Sequence, residues 1–194
     1  MKNKGIWIAL GVAIILAIYS ISSYNGLVGK DEAINGQWAQ VEAAYQRRAD
    51  LIPNLVNTVK GYADFEQETL TKVIEARSKA TSIQVNPENL SPEAIGQFQK
   101  AQEGLSGALS RLLVTIERYP DLKANQNFRD LQAELTNTEN KIAFERNKFN
   151  KSVQAFNGKI RRFPTNVFAG AFGFDQHGYF ESVEGAEEAP EVQF

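Results

Sequence analysis

Acid–base or nucleophilic chemistry near neutral pH usually needs a histidine beside a nucleophile or a metal. This sequence offers one histidine, His177, and no cysteine. Thiol catalysis, disulfides and cysteine zinc sites are therefore excluded. No HExxH, Gly-rich phosphate loop or GxSxG is present, and no second histidine exists to complete a zinc shell. Carboxylates remain: Glu134, Glu139 and Glu145 lie along one long helical segment and could point into a bundle. Helix-borne di-metal sites, however, draw ExxH pairs from facing helices, and the chain has none. The expectation is no enzyme, no cofactor and no metal, with a carboxylate-based enzyme kept as the least favoured reading.

The polar residues that stand out interrupt apolar stripes. Arg48 falls seven residues after Val41, where the pattern calls for an apolar side chain, and Glu145 and Arg146 break a stripe between Ile142 and Phe149. A buried arginine needs a carboxylate, and Glu139 or Glu145 are the candidates. Arg48, Glu139, Glu145 and Arg146 are thus read as a structural polar layer that fixes register.

The elements that must carry these residues are helices. Phe128, Leu135, Ile142, Phe149, Phe156 and Phe163 recur every seven residues, with Leu131, Val153 and Ile160 between them, which predicts one helix over residues 127–163 of about 36 residues, roughly 54 Å. Its stripe requires partners. Ile95, Phe98, Leu105, Leu109, Leu112, Ile116 and Tyr119 form a second stripe, opened by Ser91-Pro92-Glu93, in which a hydroxyl cap and a proline at the first position start a helix. Leu55, Val56, Val59, Tyr62, Leu70, Val73 and Ile74 form a third, over residues 53–79, and Leu27, Ile34, Trp38, Val41 and Tyr45 a fourth. Pro53 should end or kink the preceding helix near Asp50, because it removes a donor and clashes with the turn before it. Gly26, Gly29 and Gly36 should loosen the helix before it.

Residues 5–23 form an uncharged apolar run preceded by Lys2 and Lys4. Trp7 and Tyr24 bracket about 26 Å of helix, suited to a transmembrane segment. A cleavable signal peptide is the competing reading, but Ala-x-Ala is missing and helical patterning continues past Ser22. The predicted fold is all-α: an N-terminal transmembrane helix followed by an antiparallel up-and-down four-helix bundle. The alternative has three long helices, the first kinked at Pro53. The segments are 1–4, a short flank; 5–23, the span; 24–163, the bundle; and 164–194, a tail apolar at first and then acidic.

Charge is near balance, net −2. Residues 30–163 hold 19 Lys/Arg against 17 Asp/Glu, whereas residues 164–194 hold six acids and no Lys/Arg. No basic stripe has the density that phosphate binding needs, so nucleic acid is excluded as a partner. Val167, Phe168, Phe172 and Phe174 make the first half of the tail a candidate interaction surface. It can pack on the bundle, lie at headgroup level, contact another copy, or stay flexible.

Tyr24-Asn25-Gly26-Leu27-Val28 after the span, Trp38-Ala39-Gln40-Val41-Glu42 and residues 46–56 resemble the LemA family of bacterial membrane proteins. So do Glu139-Asn140-Lys141-Ile142 with Arg146, Asn150 and Asn157, then Phe163-Pro164, Phe172-Gly173-Phe174 and residues 185–190. The resemblance covers nearly the whole chain. It implies a single-pass anchor with an antiparallel bundle, and it carries no catalytic function or cofactor to transfer. It also implies a cytoplasmic bundle, whereas Lys2 and Lys4 favour the opposite orientation; the side stays open.

The functional expectation is a non-enzymatic helical scaffold at the bacterial inner membrane. It would be held in lipid by residues 5–23, form a homo-oligomer or bind a protein partner, and alternatively serve as an adaptor for a membrane protease or envelope-stress system.

Overall fold

The apolar run and the first soluble stripe form a single helix. The computed structural model describes residues 3–61 and 66–181. Its elements are α1 (Asn3–Lys60), α2 (Gln67–Ser82), α3 (Pro92–Ile116), α4 (Pro120–Ala124), α5 (Gln126–Ile160) and α6 (Thr165–Ala171). The fold is all-α. Tyr62 and the acidic end beyond Glu181 lie outside the described residues, as do the side chains of Lys2 and Lys4.

Two compact units share α1 and α5. The first comprises the chain up to Ala44 with Lys141–His177; the second comprises Tyr45–Asn140 with the chain from Gly178 on.

In the first unit α1 carries an 18-residue stretch apolar enough to cross a membrane, and no residue of that stretch is buried. Ile6, Trp7, Ile14, Ile15 and Ile18 all stand exposed. After Ser23 only one face is buried: Leu27, Ile34, Trp38 and Val41 reach full burial, as do Phe149 and Val153 of α5. Trp38 meets Phe149 edge-on, ring centroids 5.7 Å apart. Burying such side chains stabilises by about 1.5–3 kcal/mol each. Gly26, Gly29 and Gly36 do not interrupt α1.

In the second unit, α1 from Tyr45, α2, α3 and the start of α5 share one core. Ile52, Leu55 and Val59 meet Leu70 and Val73 of α2, Leu105 and Leu112 of α3, Leu122 of α4 and Phe128 of α5. Arg118, just past the end of α3, pairs with Glu66 just before α2, and Gln102 of α3 bonds the Ala80 carbonyl near the end of α2, so α2 and α3 run antiparallel. Ser91 caps α3 by accepting the Ala94 N–H, with Pro92 in the first turn. Asn125 caps α5 through the Phe128 N–H.

Of the two outcomes expected at Pro53, an end or a kink, the helix does not end there. Helix α1 continues through it to Lys60, and α2 begins at Gln67. Proline at 53 leaves the carbonyl four residues earlier, that of Ala49, without its helical donor. Arg77 of α2 supplies one: its Nε donates to the Ala49 oxygen at 2.8 Å. Pro53 itself is exposed, so its ring displaces no core.

Two further boundaries differ from the sequence reading. Helix α3 ends at Ile116, and Pro120 opens the short α4. Helix α5 ends at Ile160, and Phe163 is 81% exposed, outside the buried stripe that Phe128, Leu135, Ile142, Phe149 and Phe156 form. The aromatic period outlasts the helix by nearly a turn because the chain leaves helical geometry at Arg161.

Candidate functional site

In the second unit, Arg48 is 1% exposed at the position where the stripe of α1 called for an apolar residue. Its guanidinium reaches two other helices, α3 and α5. Nη1 donates to Glu139 of α5 at 2.8 Å and to Ser106 of α3 at 2.7 Å. Nη2 donates to the Gln102 side-chain oxygen at 2.7 Å and to the Gln102 carbonyl at 3.2 Å. Gln102 in turn donates to the Ala80 carbonyl of α2 at 3.2 Å. The ring of Tyr45 lies 5.1 Å below the guanidinium carbon. Glu139 keeps 45% of its side chain in solvent, so the ion pair is buried on one side only. Charge-assisted bonds to four acceptors offset much of the cost of burying the cation. Nε has no acceptor among the described residues.

Glu145 belongs to the other unit. It is buried and takes Lys141 at 2.6 Å and Gln37 at 2.6 Å. The Lys141 bond holds its carboxyl below the ordinary range; Gln37 and Lys148 add to this, and burial opposes it. Arg146 is half-buried on the same helix.

The tail is held by side-chain amides. In the first unit Asn157 donates to the His177 carbonyl at 2.9 Å and accepts the His177 N–H at 3.1 Å. Nε2 of His177 meets Asp31 of α1 at 2.6 Å, and its ring packs 4.9 Å from Phe156. In the second unit Gln99 makes the same two-bond pairing with the backbone of Glu181, at 3.2 and 2.9 Å. In each case the side-chain amide uses one N–H and its oxygen to pair with the backbone, as a neighbouring strand would. Gly178 approaches so closely that a Cβ would lie 2.7 Å from Pro92 Cα.

Of the tail residues singled out by sequence, three place their rings on this chain. Phe168 packs on Tyr19 at 5.7 Å, Phe172 on Tyr24 at 5.1 Å, and Phe174 between Tyr24 at 5.8 Å and Phe156 at 6.1 Å. Val167 stays 61% exposed.

These contacts link segments distant in sequence. Among the described residues no three His, Asp or Glu side chains converge on a metal position. The open groove of about 450 Å³ between α2 and α3 is lined by Lys72, Gly104, Gly107 and Arg111 among others, with no histidine.

The profile of the LemA family matches residues 37–194. The chain belongs to the LemA family. Among its relatives, Protein LemA of Metamycoplasma hominis is 28% identical over 175 residues, covering 90% of this chain and 76% of that one. Magnetosome protein MamQ of Magnetospirillum gryphiswaldense is 24% identical over 203 residues, covering 93% and 74%. The LemA-family match starts at Gln37, after the apolar run, and takes in Arg48, Glu139, Asn157 and the clasped tail.

Sequence reasoning missed several of the residues that complete this site. Gln102 carried a signal: it stands between Ile95 and Leu109, seven from each, where the stripe of α3 calls for an apolar side chain. Arg77, Gln99 and Asp31 carried none, since each acts on a segment distant in sequence.

Proposed function

We propose that this LemA-family protein is a non-enzymatic, membrane-anchored helical scaffold of the bacterial inner membrane that binds protein partners or further copies of itself. One observation carries the reading: α1 is a single helix whose first part exposes apolar residues all round and whose later part buries one face in both units. A bare apolar helix about 26 Å long matches a bilayer core, where a helix satisfies its own backbone. Buried polar groups such as Arg48, Gln102 and Asn157 hold segments of the helical units together, which suits a rigid platform.

The test is made on membranes from cells producing the full chain. Alkaline carbonate should leave the protein in the pellet, and density separation should place it with inner-membrane markers. Release into the supernatant would overturn the anchor. Light scattering in mild detergent then weighs the chain: one copy at every concentration, with no partner after cross-linking in cells, would overturn the scaffold.

A further inference from the structure

We infer that α6, with Phe163 before it and Arg161 and Arg162 beside it, is a second membrane element that lies in the headgroup region and binds anionic lipid. The inference rests on the reading of α1 as a membrane span.

Its position comes from contacts within the first unit. The Thr165 hydroxyl and the Tyr19 hydroxyl lie 3.1 Å apart, and Phe168 and Phe172 pack on Tyr19 and Tyr24. The start of α6 is thereby fixed to Tyr19, five residues before Tyr24, where the apolar run ends. At 1.5 Å per residue this is about 7–8 Å inside that end. Interfacial elements sit about 5–10 Å into the headgroup boundary.

Its chemistry agrees with that depth. Residues 163–174 carry no charge. Thr165 and Ala169 are buried against the chain, while Val167, Phe163 and Phe172 face outward. The helix is closed by Gly173 in the left-handed region, with the Phe174 N–H on the Ala169 carbonyl and the Gly173 N–H on the Gly170 carbonyl. This closure satisfies carbonyls that the end of a helix otherwise leaves without donors. Lys159, Arg161 and Arg162 are exposed immediately before the apolar segment, and neither arginine has an ion-pair partner among the described residues. Asp175 is the single acid that follows before Glu181. Cations flanking a shallow apolar element match anionic headgroups.

Lipid is favoured over a second copy on two grounds. The exposed face of α6 adjoins the bare apolar run of α1, so whatever covers that run covers α6. Phe163, Val167 and Phe172 are also far fewer than the 20–30 residues a side of a stable interface.

The absence of cysteine permits a direct test. Full-length Ile14→Cys, Val167→Cys and Glu32→Cys variants carry a nitroxide in vesicles of phosphatidylcholine alone or mixed equally with phosphatidylglycerol. Relaxation by oxygen and by a polar nickel chelate reads depth. Ile14 should read deep, Glu32 aqueous, and Val167 between them, deeper in the mixed vesicles. Arg161→Gln with Arg162→Gln should abolish that deepening, each arginine shifting the local equilibrium about five-fold. Val167 as exposed to the chelate as Glu32, with Ile14 still deep, overturns the inference and leaves the anchor standing. An aqueous Ile14 overturns the anchor itself. A Val167 reading indifferent to phosphatidylglycerol overturns the role of the arginines. Spin–spin broadening at Val167 that vanishes on dilution with unlabelled protein assigns the surface to a second copy and overturns the lipid assignment.

Discussion

Arg77→Met should destabilise the protein strongly only while residue 53 is proline. The Ala49 carbonyl is buried, Pro53 cannot donate to it, and the Arg77 Nε–H at 2.8 Å takes that place. Removing a charged donor from a buried acceptor costs about 1.5–3 kcal/mol. For a chain of this size that is roughly 3–12 °C in Tm. In a Pro53→Ala background the new amide N–H lies where a helix normally bonds the same carbonyl. Arg77→Met should then cost about 0.5 kcal/mol, as an ordinary surface change does. Pro53→Ala alone should stabilise, since Pro53 is exposed and proline inside a helix costs about 3 kcal/mol against alanine, less whatever Arg77 already recovers. The cycle of four proteins is measured by urea unfolding of the full chain in mild detergent, followed by far-ultraviolet circular dichroism. A coupling of about 1–2.5 kcal/mol is expected. Equal costs for Arg77→Met in both backgrounds would refute the idea that α2 supplies the missing donor of α1.

Other consequences follow from the same geometry. Glu139→Ala should cost about 2–3 kcal/mol, because Arg48 stays buried without its counter-ion, and much less once Arg48→Met is present; melts of the single and double variants check this, and additive costs would reject the pairing. Gly178→Ala should free the tail, because its Cβ meets the backbone of Pro92. Hydrogen exchange at the Gly178 and Glu181 amides, bonded to Leu90 and Gln99, should rise at least ten-fold, and unchanged protection would contradict the close approach. Glu145 has a folded carboxyl pKa held below its ordinary 4.5 by Lys141. The unfolded chain therefore takes up the proton first as pH falls. Its contribution to stability is complete above about 4.5 and fades as pH drops through the lower folded value. Glu145→Gln should flatten that acid limb in unfolding measured against pH, and an unaltered profile would show that the carboxylate is not the source.

The polar layer shows how far a periodic pattern reaches. Arg48 was recognisable because a charge at a stripe position contradicts burial, and Gln102 carried the same mark on α3. Which carboxylate Arg48 meets was not readable: Glu139 and Glu145 both follow it on one later helix, and only packing assigned Glu139 to Arg48 while Lys141 and Gln37 took Glu145. The tail was less legible still. Its phenylalanines announced an apolar segment, but the amides of Asn157 and Gln99 that hold its backbone give no periodic signal.

By itself the amino-acid order determined the helical class, the bare apolar run, the core faces of α1, α3 and α5, and the cap at Ser91. These follow from spacing along one chain segment, a local property. The tertiary structure decided that α1 passes through Pro53, that the aromatic stripe stops before Phe163, and that α6 folds back on Tyr19 and Tyr24. Each of those outcomes depends on a partner brought from far along the chain. Proline breaks a helix when the carbonyl it strands stays buried and unbonded; here Arg77, from the next helix, reaches that carbonyl.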